Sequence, residues 1–183
     1  RLLGGEPLPM GTVGSDFAPY AAWMDECGVS RAHVSAVDDS FTAQAFITTD
    51  LDDNQITAFH PGAMNQAAQN KVADAADVSL GIISPDGRDG MLQHAQQFVD
   101  AGVPFVFDPG QGLPMFDGDD LKKFIELATW VSVNDYESEL MQERTGWTAQ
   151  AIANRVEALI VTLGAQGSAI YSSAGISQIP AAD

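Results

Sequence analysis

Short strand-like runs alternate with helical segments along most of the chain, and this alternation constrains the fold more than any other feature. Strand-like runs fall at 8–13, 78–83, 103–107, 130–133 and 158–163, with helical segments at 16–27, 89–100, 117–128 and 135–143. In 16–27 the residues Phe17, Tyr20, Ala21, Met24 and Cys27 recur at helical spacing, and Gly28 supplies the stop. Thr148 reads as the N-cap of a further helix to about residue 156, and 168–171 with 175–179 read as a closing hairpin. Such a rhythm needs a mostly parallel sheet covered by helices, the α/β class. A composition of 45% apolar and 18% charged residues gives the chain enough material for that core.

One region breaks the rhythm. From 34 to 59 no helix is read, only strand-like runs at 33–37, 42–49 and 55–59, with Asp and Asn residues at 50–54 suited to a turn. The expected organisation is therefore an α/β core, 1–33 and 60–183, carrying a small β lid at 34–59. Charge narrows the partners. Eight Lys and Arg stand against 25 Asp and Glu, a net charge of −17, which excludes a general nucleic-acid binder and disfavours an anionic membrane surface. The single cysteine, Cys27, excludes an intrachain disulfide, and its place on the apolar side of a helix reads as core. No apolar run approaches the roughly 18 residues of a membrane helix, and the expected compartment is the cytoplasm.

Ligands of open α/β sheets bind at the carboxyl ends of the strands. After 103–107 comes Asp108-Pro109-Gly110-Gln111-Gly112; after 130–133 comes Asn134-Asp135-Tyr136-Glu137; after 158–161 comes Thr162-Leu163-Gly164-Ala165-Gln166-Gly167. Each alone is ordinary turn or cap chemistry. Together, along one edge, they suit a phosphorylated ligand with a metal. Asn134 and Glu137, three apart at a helix start, could order a hydrated Mg²⁺. A turn at Gly164 and Gly167 lets backbone N–H groups approach phosphates, and Thr162 adds a hydroxyl. Arg31, Lys71, Arg88, Lys122, Lys123, Arg144 and Arg155 are scattered and read as solvated surface, so backbone amides and Mg²⁺ must hold a polyanion. No P-loop, His-Glu-x-x-His or paired-cysteine pattern occurs, and Gly110-Gln111-Gly112 lacks the third glycine of a dinucleotide fingerprint. His33 and His94 read as surface residues; His60, at the mouth between lid and core, is the one histidine to watch for ligand contact, beside the plainer reading that it makes none.

These same segments resemble, in order from about residue 3 to 179, the ribokinase (PfkB) family of carbohydrate and nucleoside kinases. Gly11-Thr12-Val13-Gly14-Ser15-Asp16, with the helix ending Cys27-Gly28-Val29, is similar to the family's first block. Ala58-Phe59-His60-Pro61-Gly62-Ala63-Met64 resembles its lid strand and glycine-alanine turn. Asn134-Asp135-Tyr136-Glu137 matches its Asn-x-x-Glu motif, and Thr162-Leu163-Gly164-Ala165-Gln166-Gly167 its Thr-Leu-Gly-x-x-Gly turn. Within the family, Thr48-Thr49-Asp50, Gln55-Ile56-Thr57-Ala58-Phe59, Asp108-Pro109-Gly110-Gln111 and Thr145-Gly146-Trp147 are similar to the bacterial adenosine kinases.

The resemblance implies a ribokinase-like three-layer α/β/α fold with a small β lid, and ATP-dependent phosphorylation of the adenosine 5′-hydroxyl to give AMP. It assigns Gln111 and Phe59 to the nucleoside, Asn134, Thr162, Gly164 and Gly167 to the nucleotide, and Glu137 to Mg²⁺ through water. Gly112 stands where a second glutamine usually follows, and Met64 where many sugar kinases have Asn. The family's Gly-Ala-Gly-Asp block with the catalytic Asp is expected beyond Asp183, and its first strand and Gly-Gly-Asn block before Arg1. No catalytic residue is therefore assigned within 1–183, and the segment alone is expected to be inactive. Two other readings stand beside it: a sugar kinase of the same family with a ribose- or fructose-type substrate, and a noncatalytic nucleotide-binding module. Expected partners are a nucleoside or sugar and ATP, with a homodimer formed where the projecting lid pairs between subunits.

Overall fold

A computed structural model describes residues 1–52 and 54–181. The chain divides into two compact units, Arg1–Ala75 and Ala76–Asp183.

The first unit holds β1 (Met10–Val13), α1 (Ala18–Glu26), β2 (His33–Ala36), β3 (Gln44–Thr49) and β4 (Gln55–His60), then 3-10 helices at Gly62–Gln69 and Val72–Asp74. β1 and β2 pair in parallel, Met10 opposite His33 and Val13 opposite Ala36. β3 and β4 form a separate antiparallel hairpin, Gln44 opposite His60 and Thr49 opposite Gln55. The stretch 34–59 therefore divides, because β2 pairs with β1 and not with the hairpin. The turn expected over 50–54 contains residue 53, which lies outside the described residues. There the Asp50 Oδ1 accepts from the Asp52 and Asn54 N–H groups at 2.8 and 2.9 Å. Side chains tie this unit together. The Thr12 hydroxyl donates to the Ala63 carbonyl at 2.7 Å, and the Asn70 amide donates to the Gly11 carbonyl at 2.9 Å.

Cys27 corrects an expectation. It is exposed, not core, because it stands just past α1, its N–H donating to the Trp23 carbonyl, and only Met24 of that helix is buried. Phe17 and Tyr20, read on the apolar side of this helix, instead form a tilted aromatic row with Trp23, in which Tyr20 and Trp23 are more than half exposed. His33 is half-buried and His60 is exposed.

The second unit carries β5 (Gly81–Ile83), α2 (Arg88–Asp100), β6 (Phe105–Phe107), a 3-10 helix (Gly110–Met115), α3 (Gly118–Leu127) and β7 (Trp130–Asn134). There follow α4 (Asp135–Thr145), α5 (Ala149–Ala153), β8 (Ala158–Thr162), a 3-10 turn (Gly164–Gln166), β9 (Ser168–Ser172) and β10 (Gly175–Ile179). Six strands lie in the order β10-β9-β8-β7-β6-β5. β5 to β8 run parallel, and β9 and β10 complete the sheet antiparallel. This is the mostly parallel sheet that the alternation required.

Caps set the helix starts. The Asp117 carboxylate accepts from the Asp119 and Asp120 N–H groups at 3.0 and 2.9 Å, and the Thr148 hydroxyl from the Ala151 N–H at 3.2 Å. Leu121, Phe124 and Ile125 of α3, three and four apart, are fully buried. Phe124 stacks on Phe107 with centroids 4.2 Å apart and meets Phe116 edge-on at 5.0 Å. Several elements are shorter than their apolar runs. α5 ends at Ala153, because the chain is drawn toward β8 by the Glu157 N–H donating to the Thr129 carbonyl. β5 begins at Gly81 rather than 78, because its ladder with β6 starts at the Gly81–Phe105 pair. β6 begins at Phe105 rather than 103, since the Val103 N–H closes the end of α2 on the Phe98 carbonyl. Among the described residues no helix is long and apolar enough to cross a membrane.

Candidate nucleotide edge

Because β6, β7 and β8 are adjacent and parallel, the residues after them line the same carboxyl edge. The pairing of β7 with β8 sets Asn134 directly beside Thr162. The Thr162 hydroxyl lies 3.5 Å from the Val133 carbonyl, and Thr162 pairs on its other side with Ser168 of β9. Gln111 is exposed in the 3-10 helix that follows β6. The structure thus brings Gln111, Asn134, Glu137, Thr162 and the Gly164–Gly167 turn to one edge of one sheet. Phe59 and His60 lie on β4 of the first unit.

Asn134 and Glu137 make a reciprocal cap on α4. The Asn134 Oδ1 accepts from the Glu137 N–H at 2.8 Å, and the Glu137 Oε2 accepts from the Asn134 N–H at 2.9 Å. The Asn134 side-chain amide also donates to Glu137 Oε1 at 2.9 Å. Both carboxylate oxygens of the half-buried Glu137 are therefore held by Asn134, and each keeps one lone pair. An Asn-x-x-Glu spacing has a structural use here in its own right, since it starts the helix.

The glycine turn is equally constrained. The Gly167 N–H donates to the Gly164 carbonyl at 3.0 Å, and the Leu163 N–H to the Gly167 carbonyl at 2.8 Å. Gly167 has φ of 87°, and a methyl group there would overlap the Ile179 carbonyl, so only glycine fits.

Two further carboxyls flank this edge. Burial pushes the Asp108 carboxyl up, against a Ser132 hydroxyl and a Gly110 N–H that favour its charged form. Burial likewise pushes Asp86 up, opposed by the Gly87 N–H and by His94. Asp86 was missed by the sequence reading, yet it follows β5 as Asp108 follows β6, and the same rule of looking past each strand would have found it. His94 is half-buried.

Arg144 also departs from expectation. Rather than solvated surface, its guanidinium donates to the carbonyls of Leu113, Pro114 and Phe116 and so ties α4 to the 3-10 helix that carries Gln111. Nothing local in the sequence marks this long-range contact. Arg155 lies over the Trp147 ring, 3.8 Å from its centroid.

No group of three or more His, Cys, Asp or Glu able to hold a metal ion occurs among the described residues. Glu137, one half-buried carboxylate with both oxygens already accepting, fits a hydrated Mg²⁺ held through water rather than an all-protein cage.

A family model for pfkB carbohydrate kinases matches residues 1–183, the whole chain. The chain belongs to the pfkB carbohydrate kinase family. A nucleoside kinase of Burkholderia thailandensis, solved in complex with inosine, is similar at 54% identity and a TM-score of 0.95, over 99% of this chain and 60% of that protein. A nucleoside kinase of Methanocaldococcus jannaschii is 28% identical over 98% of this pfkB chain and 60% of its own length. Its crystal structure superposes with a TM-score of 0.85 over 93% of this chain. The chain thus spans about 60% of the length of these relatives. The fold is ribokinase-like α/β, with a mostly parallel sheet, covering helices and a small antiparallel sheet.

Proposed function

We propose that the protein containing these residues transfers the γ-phosphoryl group of ATP to the 5′-hydroxyl of a purine nucleoside, with adenosine as substrate and AMP as product. The observation that carries this is the single sheet edge on which Asn134, Glu137, Thr162 and the Gly164–Gly167 turn converge. Support for a nucleoside comes from the Burkholderia thailandensis relative, whose structures include complexes with inosine and with ADP-inosine.

In this reading the backbone amides of the Gly164–Gly167 turn and the Thr162 hydroxyl receive the nucleotide phosphates. Asn134 holds Glu137 fixed, and Glu137 orients the water shell of Mg²⁺. When bound, that ion supplies neutralisation of the phosphate charge. Gln111 donates to the nucleoside, and the family resemblance assigns Phe59 to the base. The carboxylate that takes the 5′-hydroxyl proton belongs to the family's Gly-Ala-Gly-Asp block, which does not occur in these 183 residues. On the hairpin face opposite Phe59, Phe46 and Ile56 are exposed, which favours pairing with a second copy.

The inosine complex of the relative favours a second reading, inosine ahead of adenosine. A coupled phosphorylation assay on the whole protein separates these, with adenosine, inosine, ribose and fructose 6-phosphate side by side. The expected order is adenosine, then inosine, with both sugars far behind. A clear preference for either sugar overturns the nucleoside assignment, and nucleotide binding without transfer leaves a binding module.

A further inference from the structure

The β3–β4 hairpin is exposed on both faces along nearly all its length, so its direction is set where the chain enters and leaves it. Those two points meet at Phe41 and Thr42. On one side the Asp16 carboxylate accepts three hydrogen bonds: from the Thr42 N–H at 2.8 Å, the Thr42 hydroxyl at 2.7 Å and the Gln44 side-chain amide at 3.1 Å. The Thr42 hydroxyl oxygen also accepts from the Gly14 N–H at 3.0 Å. On the other side the Ala63 N–H donates to the Phe41 carbonyl at 2.8 Å. Side chains are excluded from both flanks. A methyl group at Gly14 would overlap the Phe41 backbone, and one at Gly62 would overlap the Phe41 carbonyl. The Phe41–Thr42 segment is thus wedged between two backbone loops, with one carboxylate bonded to it.

We propose that Asp16 is a positioning residue for the nucleoside: through Thr42 and Gln44 it fixes the root of the β3–β4 hairpin and hence the place of Phe59. Gln44 is the first residue of β3 and pairs with His60, next to the Ala45–Phe59 pair, so the carboxylate acts one rung from that ring. Hydrogen bonds to the charged form hold the Asp16 carboxyl below the usual carboxylate range, with the Thr42 N–H the largest contributor. This role rests on the reading of Phe59 as the contact to the base.

The test uses the whole protein, Asp16→Ala, Thr42→Val and Asp16→Asn, with amide hydrogen exchange and steady-state kinetics on adenosine. In Asp16→Ala, amides of Gln44–His60 are expected to exchange faster while those of Trp130–Asn134 and Ala158–Thr162 are unchanged. The KM for adenosine is expected to rise about tenfold, as loss of bonds to a charged acceptor implies, with the KM for ATP unchanged. Thr42→Val should give the same pattern more weakly. Asp16→Asn, which keeps an acceptor for Thr42, should restore most of the protection. Unchanged exchange in the hairpin for both Asp16→Ala and Thr42→Val overturns the proposal, as does an adenosine KM that stays put or an ATP KM that rises equally. A wild-type protein that phosphorylates no nucleoside removes the functional reading instead, while the exchange pattern still decides whether Asp16 holds the hairpin.

Discussion

The β3–β4 hairpin and the β7–β8 pair are built from similar residues and put them to opposite uses. Both are short ladders rich in β-branched and aromatic side chains. In β7 and β8, Val131 and Leu159 are fully buried beneath the helices, whereas Phe46 and Ile56 of the hairpin are 60% and 78% exposed. Apolar surface in the sheet stabilises the fold; apolar surface on the hairpin contributes little to it and is free to meet a ligand or a second copy. The difference lies in what covers each ladder. β7 and β8 are flanked by helices whose caps and buried residues are local to them, while among the described residues each hairpin strand pairs only with the other.

The largest expected effect comes from breaking the covered side. Phe124 is fully buried, stacked on Phe107 and edge-on to Phe116. Phe124→Ala should cost about 3–5 kcal/mol, by the lost transfer of the ring and the cavity left behind. Chemical denaturation read by circular dichroism checks this, and a loss below about 1 kcal/mol would show that the sheet core is not the main source of stability.

A smaller effect separates the two regions by sign. Asp108 and Asp86 have folded-state pKa values raised by burial. The native state therefore binds more protons than the unfolded chain just above the ordinary carboxylate range, and stability falls as pH rises through the raised values. Asp50 in the hairpin turn is the opposite case. Hydrogen bonds from the Asn54 side chain, then the Asn54 and Asp52 N–H groups, lower its pKa, so its contribution is present at neutral pH and is lost as pH falls through the folded value. Urea melts from pH 4 to 7 should show Asp108→Asn flattening the loss of stability with rising pH, since Asn keeps an acceptor for the Ser132 hydroxyl. The protection of the Asn54 amide, taken relative to its intrinsic exchange rate at each pH, should fall on acidification below that window, and a hairpin that loosens with rising pH would reverse the assignment.

Much of the second unit is legible in the residues themselves. Asp117, Asn134 and Thr148 are cap residues by type and sit where caps are found, and the alternation of runs gives the parallel order β5 to β8. The edge that gathers Asn134 and Thr162 follows from that order. What the residues do not carry is long-range. Arg144 looks like any last-turn cation until the 3-10 helix folds beneath it, and Cys27 shares a helical stripe with Met24 but lies one step beyond the covered turn. The hairpin misleads for a related reason. Its strands are apolar on both faces, the pattern of a buried strand, so periodicity cannot say that nothing covers them. The proposed assignment of Gln111 and Phe59 to a nucleoside rests on the family resemblance, since neither spacing nor charge would have suggested it.

The smallest expected effect on stability is also the sharpest test of the comparison. In the hairpin register, Ala45, Phe59, Ile47 and Thr57 share one face, and Phe46, Ala58, Thr48 and Ile56 share the other. Ile56→Ser removes a side chain that no core residue covers, so the unfolding free energy should move by no more than about 0.5 kcal/mol. The two faces then predict different kinetics. Phe59→Ala should raise the KM for adenosine, while Ile56→Ser should leave it unchanged, because strand alternation turns the Ile56 side chain away from the face that carries Phe59. If the Phe46–Ile56 face meets a second copy, Ile56→Ser should instead shift the sedimentation profile toward monomer at micromolar concentration. An Ile56→Ser protein with the same KM increase as Phe59→Ala would mean that the hairpin does not present separate faces to the nucleoside and to a partner. A loss of several kcal/mol would mean that the hairpin is covered after all, and the contrast with β7 and β8 would fall.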